Sequence, residues 1–186
     1  MARAVIWPVL GSLSAVPALD RPDLLSDPVA LALTAMDPAD AALIGVAEID
    51  PTLADTAEFC AAYGSPLDGS ANCVVVAGRR GETVRYAACL VLATTRADVN
   101  GLVRRRLDAR KASFAPMDEA VSITGMEYGG ITPIGLPADW PVLVDAAVVA
   151  APAVVVGSGV RHSKLALPGE LAARLAGAEV VEGLGR

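Results

Sequence analysis

Apolar positions recur along this chain with two periods, and the switches between them mark out its elements. "SDPVALALTAM" (26–36) opens with Ser26 and Asp27 ahead of Pro28, a helix start, because proline's missing N–H is not needed in the first turn. "ALIGVAEID" (42–50) reads as a strand ended by Asp50-Pro51. "DTAEFCAAYG" (55–64) sets Asp55 and Glu58 at capping-box spacing, puts Phe59, Ala62 and Tyr63 on one helical face and stops at Gly64. "ANCVVVAGRR" (71–80) and "ETVRYAACLVLAT" (82–94) are strand-like runs turned by Arg80-Gly81, which predicts a hairpin. "ADVNGLVRRRLDARK" (97–111) repeats Val99, Leu102, Val103 and Leu107 at helical spacing.

The carboxyl-terminal half continues in short pieces. "ASFA" (112–115) predicts a strand and "MDEAVSITG" (117–125) a helix closing at Gly125. "WPVLVD" (140–145) predicts a strand, "AAVVAA" (146–151) a helical turn, and "AVVVGSG" (153–159) with "SKLAL" (163–167) a strand pair. "PGELAARLAG" (168–177) predicts a helix between Pro168 and Gly177, and "AEVVEG" (178–183) a last strand. Residues 1–25 hold Pro8, Pro17 and Pro22 without a period, which predicts an extended arm with a short strand at Ala4 to Leu10. Hairpin-like strands mixed with short helices argue for an α+β domain over 26–186 rather than a βαβ array.

Composition narrows the function classes. Of the 186 residues 54% are hydrophobic but only 4% aromatic, so a core of small aliphatic side chains is expected. The net charge of −6 argues against a protein that coats DNA or RNA through its overall field, although a local patch could still meet RNA. Cys60, Cys73 and Cys89 are odd in number and lack CxxC spacing, so free thiols in a reducing compartment are expected, with no metal site and no cofactor. The longest apolar run, Ala146 to Val156, contains Pro152 and is too short to cross a membrane. "MARAVIWPVL" carries one arginine and a proline-broken stretch, unlike a secretory leader, so the cytoplasm is the expected location.

Four stretches could carry chemistry. "GSGVRHSK" (157–164) lacks the third glycine of GxGxxG and the GK[ST] of a phosphate loop. Ser158, His162 and Asp145 could be written as a triad, but no GxSxG surrounds the serine. Arg104, Arg105, Arg106, Arg110 and Lys111 fan around the end of the 97–111 helix, where they either suit the helix dipole or hold phosphates of an RNA end. "TGMEYGGITPIGLP" (124–137) has four glycines and two prolines, and no lysine, arginine, histidine or cysteine. Such a stiff loop is either a structural turn or a set of backbone donors for a carbonyl oxygen that becomes negative during acyl transfer.

That loop resembles the GxxPxG loop of the YbaK and prolyl-tRNA-synthetase-associated domain family, single-domain aminoacyl-tRNA deacylases. "WPVLVDAAVV" is similar to that family's strand ending in an aspartate. "VVVGSGVRHSKLALPGEL" resembles its glycine-rich hairpin and final helix, and "DTAEFCAAYG" with "ANCVVVAG" its early helix and first core strand. The resemblance covers roughly residues 30 to 182 and leaves the first twenty-five outside.

The resemblance implies a mixed, barrel-like sheet surrounded by short helices. It implies a hydrolase that works in trans and clears a wrong amino acid from the 3′ end of tRNA without a metal, by backbone polarisation of the ester carbonyl with a tRNA hydroxyl or a bound water completing the reaction. Its partners would be mischarged tRNA and a possible aminoacyl-tRNA synthetase, with no membrane and no DNA. Carried over, Gly129 and Gly130 hold the ester carbonyl oxygen, and Asp145 anchors the α-amino group or the ribose. Thr132, Pro133 and Gly135 shape the loop, and Gly157, Ser158 and Gly159 form the facing wall. Family members usually carry a lysine at the start of the first core strand, where this chain has Ala71 and Asn72. Asn72 can still hydrogen-bond a ribose or phosphate. Lys111 and Lys164 could supply charge, with nothing in the sequence to place them. Two other readings stay open: a module that binds an amino acid or an aminoacylated RNA end without turnover, and an unrelated hydrolase using Cys73 or Ser158.

Overall fold

A computed structural model describes residues 7–186. In chain order its elements are β1 (Val16–Pro17), α1 (Asp27–Ala35), α2 (Pro38–Ala41), β2 (Gly45–Glu48), α3 (Thr56–Tyr63), β3 (Ala71–Arg80), β4 (Thr83–Leu92), α4 (Arg104–Arg106), β5 (Lys111–Phe114), α5 (Met117–Thr124), β6 (Val142–Asp145), α6 (Ala146–Ala150), β7 (Val154–Gly157), β8 (Ser163–Leu167) and β9 (Ala178–Val181).

The hairpin forms where the sequence predicts it. β3 and β4 pair from Ala71↔Leu92 to Arg80↔Thr83, and Gly81 turns the chain at φ +60°. This pair is the centre of a five-stranded sheet ordered β5-β3-β4-β6-β9. β5 runs antiparallel to β3, whereas β6 and β9 join in parallel. All of "VLVD" in β6 is buried, as expected for a parallel strand covered on both faces. A second, antiparallel sheet is ordered β1-β2-β8-β7. The two sheets meet through one isolated bridge, Ser70↔Val155, and close no barrel.

Among the described residues four apolar clusters hold the sheets, the smallest being Val75, Ala120 and Trp140. The largest lies between them, with Leu90, Val144, Val156, Leu165 and Leu167 packed against Val29 and Leu33 of α1. A second sits under the helical segment at 99–106, around Val76, Cys89, Val103 and Leu143. The third packs Leu10, Phe59 and Ala166 on the outer face of the four-stranded sheet.

Several expectations need correction. The predicted 97–111 helix is a π-helical turn, Val99–Val103, followed by the single turn of α4. It ends where Asp108 takes φ +51° and its carbonyl accepts a 2.7 Å bond from Arg80. The predicted 168–177 helix is a 3-10 stretch, Gly169–Arg174, in which Gly169 lies against the carbonyls of Val148 and Ala151. Asp55 stands at the N-cap of α3, but its side chain makes no capping bond. Of the strand expected at 4–10, residues 4–6 lie outside the described residues and Pro8–Leu10 is a 3-10 turn. The rest of the proposed arm is not extended: it makes further 3-10 turns, adds β1 to β2, and buries Leu10, Ala18 and Leu24.

Candidate functional site

Beyond the Ser70–Val155 bridge, β7 leaves β3 and a cavity of about 520 Å³ opens in the seam. That size suits a small-molecule site. One wall is apolar: Ala71, Cys73 and Val75 of β3, Ala120 of α5, Ile131 and Val156. The opposite end is polar: Asp55, Thr56, Asn72 and Lys164. Phe114, Met117 and Tyr128 also line it, and all three side chains are largely exposed.

The polar end is organised by one buried lysine. "SKLAL" is buried throughout β8. Leu165 and Leu167 enter the core between the sheets, and Ala166 enters the outer layer with Phe59. Lys164 is only 7% exposed, and its Nζ donates a 2.6 Å bond to the Ala54 carbonyl. It also lies 5.5 Å from the centre of the Phe59 ring. Burial lowers its pKa to about 8, with Asp55 opposing the shift and Arg161 reinforcing it. An ammonium has three donors and Lys164 uses one in a hydrogen bond within the protein. Beside it the Asn72 amide oxygen accepts a 2.8 Å bond from the Thr56 hydroxyl.

The glycine-rich loop lies across the end of β7. Gly129 lines the cavity at φ +82°, a conformation that favours glycine. Gly157 faces the loop so closely that a Cβ there would collide with the Gly130 carbonyl. Main-chain bonds lace the two segments: Gly159 N–H donates to Gly130 O at 2.7 Å, and Glu127 N–H to Gly159 O at 2.9 Å. Arg161 ties the rim. Its backbone N–H donates to the Glu127 carboxylate, its guanidinium donates to the carbonyls of Tyr128 and Pro51, and Nη1 lies 3.6 Å from the Asp55 carboxylate. Among the described residues, no backbone bond uses the N–H of Gly129 or of Ile131.

The structure therefore brings some expected residues together and not others. Asn72, Gly129 and Gly157 line the cavity. The N–H of Gly130 is already engaged, donating to Glu127 O at 2.9 Å, so the donor expected there is not free. Thr132, Pro133 and Gly135 are off the wall. Thr132 is fully buried, its hydroxyl without a partner, and Gly135 packs against the Pro28 backbone. Ser158 is fully buried and bonded to Ser163, and Gly159 packs on Ser26. Asp145 is also off the wall. It accepts the N–H of Gly185 at 2.9 Å and of Ala147 at 3.4 Å, capping α6 and holding the final residues. A carboxylate at a helix N-cap needs no substrate to explain it.

The nucleophile readings fare no better. His162 Nε2 donates to the Asp23 carbonyl at 3.3 Å, so Ser158, His162 and Asp145 form no hydrogen-bonded chain. Cys73 lines the cavity, but burial pushes its thiol well above the ordinary range, and that of Cys89 to about 12. Sequence reasoning missed Asp55, Thr56 and Ile131 as wall residues and could not place Lys164. Its one signal was the question of where a lysine could come from.

Comparison with known proteins gives the family. Residues 50–175 match the family described as "Aminoacyl-tRNA editing domain". No curated protein matches the sequence. Among solved structures, a proposed trans-editing enzyme for prolyl-tRNA synthetase is 22% identical, with 85% of this chain and 97% of that one covered and a TM-score of 0.69. A scaffold used for computational epitope backbone grafting is 23% identical over 85% and 97% of the chains, with a TM-score of 0.67. The hypothetical protein APE2540 is 20% identical over 80% and 95%, with a TM-score of 0.69. At these identities the likeness is one of fold.

Proposed function

Because the chain belongs to the aminoacyl-tRNA editing domain family, we propose that it is a trans-acting deacylase that hydrolyses the ester of mischarged aminoacyl-tRNA. The observation that supports this reading is the seam cavity, lined by Gly129 and Ile131, whose N–H groups make no backbone bond, by the buried Lys164 and by apolar side chains. An aminoacyl ester is activated enough that hydrolysis needs oxyanion stabilisation and a placed water more than a nucleophilic side chain.

In this mechanism the ester carbonyl lies against the loop. Water adds to the carbonyl carbon and the oxygen becomes negative. The N–H groups of Gly129 and Ile131, with the Lys164 ammonium, stabilise that charge. The tetrahedral intermediate then expels the ribose oxygen, which takes one proton from the added water; the other passes to solvent and the amino acid leaves as a carboxylate. Asn72 and Thr56 hold the ribose, and the apolar wall receives a small amino-acid side chain. A methylene more or less there is worth about 1–3 kcal/mol, so size selection is modest. Exposed Phe114 and Tyr128 at the mouth suit stacking on the terminal base. tRNA and a possible synthetase partner place this work in the cytoplasm. The structure has no helix long and apolar enough to cross a membrane among the described residues.

The test is incubation with a panel of mischarged tRNAs. Release of one or a few small amino acids, lost in Lys164→Met, supports the deacylase. Saturable binding with the ester intact supports the binding module instead, a reading favoured by the neutral Asn72 at the start of β3.

A further inference from the structure

A second hollow, about 540 Å³, opens at the far end of β5. Arg79, Arg104, Arg110 and Lys111 line it with Asn100 and Ser113. These four cations come from three places: the end of β3, the helical turn α4, and the start of β5 with the residue before it. Among the described residues none of them is paired with a carboxylate. The acids near that end are already engaged. Asp108 takes Arg80 at 2.6 Å, and Glu179 takes Arg106 at 2.6 Å. A chain of net charge −6 thus keeps four uncompensated positive side chains around one concavity. Protecting the exposed edge of β5 from strand pairing would explain Lys111 alone, not convergence from three elements.

The hollow and the seam cavity share no lining residue but lie along the same two paired strands. Val75 and Phe114 line the cavity, and Ala77, Arg79, Lys111 and Ala112 line the hollow, all on the paired strands β3 and β5. From Phe114 to Lys111 the strand advances about 10 Å. We propose that the Arg79–Arg104–Arg110–Lys111 hollow is a separate phosphate-binding site that grips the acceptor-stem backbone of tRNA while the 3′ end lies in the cavity. This rests on the editing reading for its partner. Several arginines and a lysine around one concavity match phosphate oxygens and carry no base readout, so the site takes any tRNA.

The test uses the full chain and the triple variant Arg79→Ala, Arg110→Ala, Lys111→Ala, all exposed positions. Binding of uncharged tRNA is titrated by fluorescence anisotropy at several salt concentrations. Each lost phosphate contact flattens the slope of log K against log [salt] by about 0.7–0.9, so the variant's slope falls by about 2. KM for a full mischarged tRNA rises with kcat unchanged, while hydrolysis of an aminoacylated CCA trinucleotide does not change. An unchanged slope overturns the site, as does an effect of equal size on the trinucleotide. So does loss of binding to an acidic protein partner with tRNA binding intact. Should the parent hydrolyse no mischarged tRNA, the editing reading falls and the salt titration still decides the site.

Discussion

Lys164 and Asp145 are both charged residues buried in strands, 7% and 4% exposed, and they differ in what they have left to offer. Asp145 caps α6 and holds Gly185, so both of its oxygens are engaged by the main chain. Lys164 has one carbonyl partner and an aromatic face, and its remaining donors border a cavity. A buried charge with every valence engaged is part of the scaffold. A buried charge with donors to spare beside a hollow is available to a ligand.

The largest effect expected from this contrast is on turnover. Lys164→Met should lower kcat by about 10²–10³, the usual cost of one oxyanion donor, without lowering the melting temperature. Removing a buried ammonium in favour of a similar apolar chain relieves desolvation. Steady-state kinetics with a mischarged tRNA checks the first part and calorimetry the second. Unchanged kcat would break the contrast on its functional side.

The second effect is in pH. The Lys164 pKa falls from 10.5 unfolded to about 8 folded, so the cost of burying its charge is fully present below pH 8. Between pH 8 and 10.5 the unfolded chain holds the proton that the folded chain has lost, so stability rises with pH. At about 1.4 kcal/mol per pKa unit, that window is worth about 3 kcal/mol. The raised thiols of Cys73 and Cys89 work in the opposite direction above pH 9. Denaturant titrations of the parent and Lys164→Met, taken as a difference, isolate the lysine. Turnover should fall as pH passes 8, because the charged form is the donor.

Asp145→Ala comes next. It removes the N-cap of α6 and the acceptor for Gly185 and should cost about 0.5–2 kcal/mol of stability. Turnover per folded molecule should stay that of the parent, and a thermal melt alongside an active-fraction assay reads both. A large loss of kcat in folded protein would return Asp145 to the catalytic role the sequence suggested. The smallest effect is expected from Cys73→Ser, which should leave turnover intact, because a thiol held protonated is no nucleophile.

These two residues also explain what the sequence revealed. Local signals were legible wherever a local cause decides structure: Pro28 inside α1, Gly64 and Gly125 ending α3 and α5, and Arg80-Gly81 turning the hairpin. "VD-AAVV" was legible too, but it supports two meanings, a ligand anchor and a helix cap, and the cap is what forms. Lys164 was not legible. β8 is buried on both faces, so "SKLAL" carries no alternation to say where the lysine looks. Its facing is set by pairing with β2 and β7, strands distant or nearby in sequence but fixed only in the fold. The four cations of the second hollow were half legible: Arg104, Arg110 and Lys111 appear as a run, whereas Arg79 joins them only through the β3–β5 register.

Arg161 has a consequence of a different kind. One side chain fastens the carbonyls of Pro51 and Tyr128 and approaches the Asp55 carboxylate, joining three stretches of chain that are remote in sequence. That part of the rim is thereby preorganised: the entropy of ordering these stretches is met during folding. A guest that fits such a rim spends less of its binding energy on ordering the protein than one that meets a loose loop.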